Sequence, residues 1–298
     1  MRATPIVKWA GGKGQLLPRY ARYLPDPGSY DAYLEPFVGG GALFFYLAPS
    51  LRGKFVWLND NNTELINLYR VIAADPEPLI ERLREYRDGH SREQYYRVRA
   101  AEPQDPVERA ARLLYLNKTC YNGLYRVNSR GQFNVPMGRY GKPAILDEPA
   151  LRSAHRVFRD LDVAFSAGDF EEAAQTVQRR GIRRAFVYFD PPYQPISETA
   201  YFTAYTSDGF SEDDQLRLAA LARRLKDGGH LVMVSNSYHA LIRELYEGFT
   251  LIPVQANRAI NSRADGRGAI YEYLILGYPG GSQGPARPPG RRCVSPPG

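Results

Sequence analysis

The run Ala185-Phe186-Val187-Tyr188-Phe189, followed at once by Asp190-Pro191-Pro192-Tyr193, constrains this chain more than any other stretch. Five apolar residues, β-branched and aromatic, are too few for a buried helix and suit a strand covered on both faces. The prolines end it: the ring of Pro192 disfavours helical backbone at Pro191, and the turn is stiff. In open α/β sheets ligands bind outside the carboxyl ends of the strands, so the tetrapeptide marks a candidate site. Its groups suit an exocyclic amino group. Asp190 can accept one N–H, the Pro191 carbonyl can accept the other, and Tyr193 offers a flat face for a planar base. The alternative is an ordinary Pro-rich strand end with a solvated Asp190.

Other strand-like runs alternate with helix-like ones. Tyr33-Leu34-Glu35-Pro36-Phe37 ends in Gly39-Gly40-Gly41, and a helix opens over Ala42 to Leu47. Phe55-Val56-Trp57-Leu58 ends at Asn59-Asp60. Val163-Ala164-Phe165 leads into Gly168-Asp169-Phe170, and His230 to Val234 into Ser235-Asn236-Ser237. Ala269 to Leu276 reads as a last strand. Strands separated by helical stretches predict a largely parallel, doubly wound α/β sheet. A helix-rich, charged stretch interrupts this alternation and reads as an inserted domain over 70–159. It carries turn signals at Asn122-Gly123 and Asn128-Ser129-Arg130-Gly131. The core domain is then 1–69 plus 160–278, and the Pro/Gly/Arg-rich segment 279–298 reads as a disordered tail.

Composition excludes more than it selects. No stretch approaches the ~20 apolar residues of a membrane span. No apolar targeting segment precedes Trp9, so a cytoplasmic protein is expected. Two cysteines and four histidines show no metal-ligand spacing, and no metal is expected. The net charge of +7 suits a polyanion partner without requiring one; without Arg287, Arg291 and Arg292 of the tail it is +4.

Glycines at 39–41, after a strand and before a helix, let a ligand approach the backbone. Their spacing is not that of a dinucleotide site. The acidic Glu35 and aromatic Phe37 suit a positively charged nucleoside, such as S-adenosyl-L-methionine with its sulfonium. Asp60 can take ribose hydroxyls, or it caps the helix that follows. Trp9-Ala10-Gly11-Gly12-Lys13-Gly14 fails as a phosphate loop, because no Ser or Thr follows Lys13 and Val7 stands where a Gly is required. It can still hold Lys13 toward a ligand carboxylate beside Trp9. Asp169 can accept from an adenine amino group with Phe170 stacked nearby, or it caps Phe170-Glu171-Glu172. In the insertion, Tyr121-Asn122-Gly123-Leu124-Tyr125-Arg126 places aromatics, an amide and an Arg on one turn. Arg suits guanine, Asn suits adenine, and an aromatic can fill a gap in a base stack. Arg139, Tyr140 and Lys142 are candidate phosphate contacts. A hairpin with exposed polar residues is the plain alternative.

Taken together, these motifs resemble the Dam-like (D12 class, alpha group) DNA adenine-N6 methyltransferases. The resemblance is carried by Lys8-Trp9-Ala10-Gly11-Gly12-Lys13, Glu35 to Gly41, Asn59-Asp60, Tyr115-Leu116-Asn117-Lys118, Tyr121 to Leu124, Gly131 to Pro136, Gly138-Arg139-Tyr140 and Asp190 to Tyr193. Phe202-Thr203-Ala204-Tyr205 and Ser235-Asn236 add to it. It spans about residues 6 to 278. It implies a seven-stranded, mostly parallel Rossmann-like methyltransferase sheet with an antiparallel strand near one edge and an inserted helical target-recognition domain.

The resemblance also implies S-adenosyl-L-methionine as cofactor, with Trp9, Lys13, Asp60 and Asp190 lining its site; the motif readings above add Glu35, Phe37, Gly39, Gly41, Asp169 and Phe170. The catalytic group is Asp190, Pro191, Pro192 and Tyr193, acting on N6 of a flipped adenine in double-stranded DNA, usually within GATC. Lys8, Tyr121, Asn122, Leu124, Arg126, Asn134 and Arg139 are the implied DNA contacts, and a cognate restriction endonuclease is a conceivable partner at the same site. Two other readings use the same residues: a methyltransferase acting on RNA or a protein amide, and a DNA-recognition module without turnover.

Overall fold

Why the tetrapeptide ends up at the centre of the molecule follows from the strand order in a computed structural model of the chain. It describes residues 3–9, 11–193, 210–256 and 270–279. Ala10, Phe202 to Tyr205, Ala269 and the tail beyond 279 lie outside the described residues. Seven strands form one sheet: β1 (Ala32–Glu35), β2 (Phe55–Asp60), β3 (Asp162–Ala167), β4 (Ala185–Phe189), β5 (Leu231–Ser237), β6 (Thr250–Ala256) and β7 (Ile270–Leu276). Their order is β3-β2-β1-β4-β5-β7-β6. The first five are parallel, and β7 runs antiparallel between β5 and β6. From β1 the chain winds outward to β2 and β3, then returns to β4 and winds the other way to β5. The direction changes between β1 and β4, the place where such sheets bind ligands.

Period-two alternation sets the faces. In β4, Phe186 and Tyr188 enter one core, with Tyr33, Leu58 and Met233; Ala185, Val187 and Phe189 enter the other, with Leu34, Trp57 and Val234. Helices Ala42–Leu47 and Thr63–Ala74 contribute buried residues to the first core, and Glu172–Arg179, Glu212–Asp227 and Ala240–Leu245 to the second. The stretch between β2 and β3 runs through helices Glu77–Asp88, Arg92–Ala100, Pro106–Thr119 and Glu148–Asp160. Their apolar faces, with Leu79, Leu83, Tyr95, Leu114, Leu151 and Phe158, belong to the same core as Tyr33 and Phe44. The insertion thus shares a core with the sheet, and the position after residue 69 falls inside helix Thr63–Ala74.

Two strand ends differ from their sequence reading. β1 stops at Glu35, before Pro36, which has no N–H to donate. β5 continues through Ser235-Asn236-Ser237, all buried. Asn59, fully buried at the end of β2, donates from Nδ2 to Pro36 O (3.0 Å) and Gly168 O (2.9 Å). It ties together the turns that follow β1 and β3.

Two stability predictions arise here. Asn59→Ala removes the donor from two carbonyls, and a loss of about 1–3 kcal/mol is expected in urea unfolding; an unchanged midpoint would refute the tie. Burial holds the carboxyl of Glu35 well above its ordinary 4.5, against the opposing hydrogen bond from Tyr33. Above 4.5 the folded state therefore binds more protons than the unfolded chain, and stability falls as pH rises toward the folded value. Glu35→Gln lacks this penalty. Its melting temperature should gain on the wild type from about pH 4.5 upward; a gap that does not change with pH would contradict the assignment.

Candidate functional site

The turns at the carboxyl ends of β1, β2 and β4, with the Gly-rich loop 11–14, enclose a cleft of about 1080 Å³. Lys8, Trp9, Lys13, Glu35, Phe37, Gly39, Gly41, Asp60, Asp190, Pro191, Pro192 and Tyr193 all line it. So do Leu124 and Tyr125 of the turn in the insertion. Residues separated by up to 185 positions in the chain are thus brought to one surface.

At its floor the Lys13 ammonium lies 2.8 Å from Asp190 Oδ1. It donates to the Gly11 carbonyl (2.8 Å) and sits over the Tyr193 ring, 4.6 Å from the centroid. Lys13 is 5% exposed, which these three partners make tolerable. Ser235 donates its hydroxyl proton to Asp190 Oδ1 (2.8 Å), and the Tyr188 hydroxyl lies 3.0 Å from Ser235 Oγ. Both contacts to Asp190 fall on Oδ1. The Pro192 carbonyl accepts from Gln215 Nε2 (3.1 Å), which fixes the double-proline turn against helix Glu212–Asp227. The Tyr193 hydroxyl donates to Glu272 Oε2 (3.0 Å), and the Tyr20 hydroxyl donates to the other oxygen of the same carboxylate. Burial raises the Tyr193 phenol well above its usual range, with Asp190 and Glu272 adding to the shift.

Along the opposite wall, Asp60 accepts from the backbone N–H of Gly39 (3.0 Å) and of Asn62 (3.0 Å). The cap of helix Thr63–Ala74 is Asn62, whose side chain accepts from Leu65 N, so Asp60 is not used there. Burial raises the Asp60 carboxyl above its ordinary value, against those two N–H donors. Gly39 has φ +46°, and a Cβ there would meet the Trp9 ring at 2.8 Å. Glycine at this position lets Trp9 close over the turn. Trp9 in turn stacks on Tyr125 (5.6 Å, 28°).

Asp169 and Phe170 do not line the cleft. The Asp169 carboxylate accepts from Glu171 N (2.8 Å) and pairs with Arg217 (3.0 Å); it does not cap the following helix, whose N-cap is Glu171 with no side-chain bond. Phe170 is buried behind the wall and stacks on Phe37 (5.4 Å, 27°), while Phe210 packs against both rings. Arg217 lies over Phe170, 4.9 Å from its centroid.

In the insertion, Asn122 and Gly123 adopt φ +55° and +67°, as the turn signal predicted. A Cβ on Gly123 would come within 2.9 Å of the Lys8 side chain, so the turn sits directly on the loop before Trp9. Asn117 fastens the two: its side chain accepts from Lys8 N (2.8 Å) and donates to Lys8 O (2.7 Å) and Gly123 O (3.0 Å). Tyr121 and Leu124 stand 53% and 43% exposed. Lys8, Asn122, Arg126 and Arg139 are exposed as well. Arg126 donates from Nε to half-buried Asn134 (2.7 Å), a bond that uses neither terminal nitrogen.

Sequence reasoning missed Tyr20, Tyr188, Phe210, Gln215 and Glu272 as parts of this site. Glu272 carried a signal, being a carboxylate inside an apolar strand, where a charge needs a partner. Among the described residues no group of His, Cys, Asp and Glu is arranged to hold a metal ion, and no helix is long and apolar enough to cross a membrane.

Comparison with known proteins gives the family. A family model described as D12 class N6 adenine-specific DNA methyltransferase matches residues 9–260. A type II methyltransferase of Lactococcus lactis subsp. cremoris is 43% identical over 280 residues, covering 92% of this chain and 95% of its own. A type II methyltransferase of Methanocaldococcus jannaschii is 43% identical over 295 residues, covering 93% and 100%. The DNA adenine methylase of Escherichia coli strain K12 is 36% identical over 279 residues, covering 92% and 95%. The chain that carries this cleft and this exposed turn belongs to the D12 class of N6 adenine-specific DNA methyltransferases.

Proposed function

We propose that the protein transfers a methyl group from S-adenosyl-L-methionine to N6 of an adenine flipped out of double-stranded DNA, within GATC. The observation that carries this reading is Asp190: it stands beside Lys13 and Tyr193 in the cleft that also holds Asp60, the glycine turn and Leu124. The donor set suits the cofactor. Asp60 offers acceptors for ribose hydroxyls, Lys13 a cation for a carboxylate, Phe37 and Trp9 apolar walls, and the Gly39 turn a close backbone approach. When bound, the cofactor supplies an electrophilic methyl on sulfur.

Flipping adenine costs a few kcal/mol, offset by stacking and hydrogen bonds in the pocket. Tyr193 is the stacking surface. Asp190 Oδ2, clear of the Lys13 and Ser235 contacts on Oδ1, and the Pro191 carbonyl accept the two N6 hydrogens. An aromatic amine is a poor nucleophile because its lone pair is delocalised. Holding both hydrogens favours a more tetrahedral nitrogen aimed at the methyl, by positioning and electrostatics alone. Asp190 stabilises the positive charge that develops on N6.

Residues 70–159 carry target recognition in this reading. Arg126 reads a guanine with the terminal nitrogens that Asn134 leaves unused, Asn122 and Lys8 contact bases, Tyr121 and Leu124 enter the space vacated in the duplex, and Arg139 contacts phosphate. GATC is the target that the family resemblance implies. A cognate restriction endonuclease at the same site is the partner suggested by the two type II relatives, and the cytoplasm is where the substrate would be met.

Transfer of labelled methyl from S-adenosyl-L-methionine to duplexes with and without GATC, with RNA and protein as controls, tests the whole reading. Label on RNA or protein alone would overturn it. Asp190→Ala should abolish transfer while the protein still folds; near-normal turnover by a folded variant would sink the mechanism. Arg126→Ala should relax discrimination at one guanine by about 1–3 kcal/mol. Kinetics on duplexes altered one position at a time read this out, and an unchanged preference would remove the role.

A further inference from the structure

We infer that Glu272, on the antiparallel strand β7, is a positioning residue for methyl transfer, holding the Tyr193 ring in place through its hydroxyl. The inference rests on the reading of Asp190 to Tyr193 as the site of N6 chemistry.

Glu272 is delivered from a fixed backbone. It lies opposite Ser237 of β5 on one side and Val254 of β6 on the other, so β7 is hydrogen-bonded along both edges. Glu272 is 6% exposed. One oxygen accepts from Tyr193 at 3.0 Å and the other from Tyr20. The remaining residues of the strand, Ile270, Tyr271, Tyr273, Leu274, Ile275 and Leu276, are aliphatic or aromatic. A carboxylate this deep costs free energy that a leucine would avoid, so its two hydrogen-bond partners have to account for it.

Those partners define the ring. A tyrosine side chain has two torsions to fix. The Lys13 ammonium on the ring face restrains one edge of that motion, and the bond from the para hydroxyl to Glu272 pins the far end. The same ammonium holds Asp190, so the base-stacking surface and the N6 acceptor are set relative to each other by Lys13 on one side and by β7 on the other. A phenylalanine would present an equal flat face to a base; the hydroxyl serves the anchor.

The experiment is a double-mutant cycle on methyl transfer to duplex DNA, with thermal unfolding measured in parallel. Glu272→Leu removes both acceptors at similar volume, and Glu272→Gln keeps one carbonyl. Each is made in the wild type and in Tyr193→Phe. In the wild type Glu272→Leu should lower kcat about tenfold, more than it changes KM for DNA, and Glu272→Gln should recover part of the loss. In Tyr193→Phe the same substitution should change kcat by a factor near one, because the Tyr193 bond is already gone and the Tyr20 bond, lost in both backgrounds, cancels in the cycle. Equal losses in both backgrounds would mean that Glu272 acts only through the fold, and an unimpaired Glu272→Leu would overturn the role outright. Should the leucine variant fail to fold, the cycle closes with Glu272→Gln. Asp190→Ala assayed on the same duplex separates the two claims: its inactivity beside an active Glu272→Leu would end the positioning role and leave the reading of the site standing.

Discussion

The ion pair between Lys13 and Asp190 is the contact on which the rest of the site depends. An ammonium this buried costs several kcal/mol unless it is paired and hydrogen-bonded. Its partners come from three places: Asp190 at the end of β4, the Gly11 carbonyl in its own loop, and the Tyr193 ring beyond the double proline. The loop and the strand end therefore stabilise each other. Each then recruits a further layer, Ser235 on Asp190 from β5 and Glu272 on Tyr193 from β7. An arrangement that began as four consecutive residues is held by three strands and a glycine loop.

Much of this was legible because the informative signals were local. A buried five-residue run followed by two prolines has few other places to go, and β4 spans the residues that pattern marked. Asn122-Gly123 specified positive φ at both positions. What stayed hidden was long-range. Nothing near Glu272 in the chain names Tyr193, 79 positions away, as its partner. β6 gave no strand signal because Pro253 interrupts it; the sheet order explains the proline, since β6 is an edge strand and can spare an N–H. Asp169 looked like a ligand group because it follows a strand, yet Arg217, reaching back from a helix 48 residues later, takes its carboxylate.

Residues 70–159 are joined to the cleft physically rather than set apart from it. The helices there bury their apolar faces in the core that also lies under β1 and β2. Asn117 then hydrogen-bonds both backbone groups of Lys8 and the carbonyl of Gly123, and Trp9 stacks on Tyr125. A shift of the exposed turn must move the loop that carries Trp9 and Lys13, or break that amide bridge. If the turn engages a duplex as proposed, these contacts link that engagement to the loop that carries Lys13, and through Lys13 to Asp190.

The cleft is lined by the carboxyls of Asp190, Asp60 and Glu35, with Glu272 behind Tyr193, against the ammonium groups of Lys13 and the exposed Lys8. Burial holds three of them, Glu35, Asp60 and Glu272, above their ordinary values. Each would ionise more readily with another positive charge nearby. By linkage, a cationic ligand entering the cleft binds more tightly as pH rises through the raised values of those carboxyls, whereas a neutral product that has lost its positive charge gains nothing from them. Under the proposed reading the donor is a sulfonium and its product an uncharged thioether, so the buried carboxyls that cost the fold stability would favour the donor over the product.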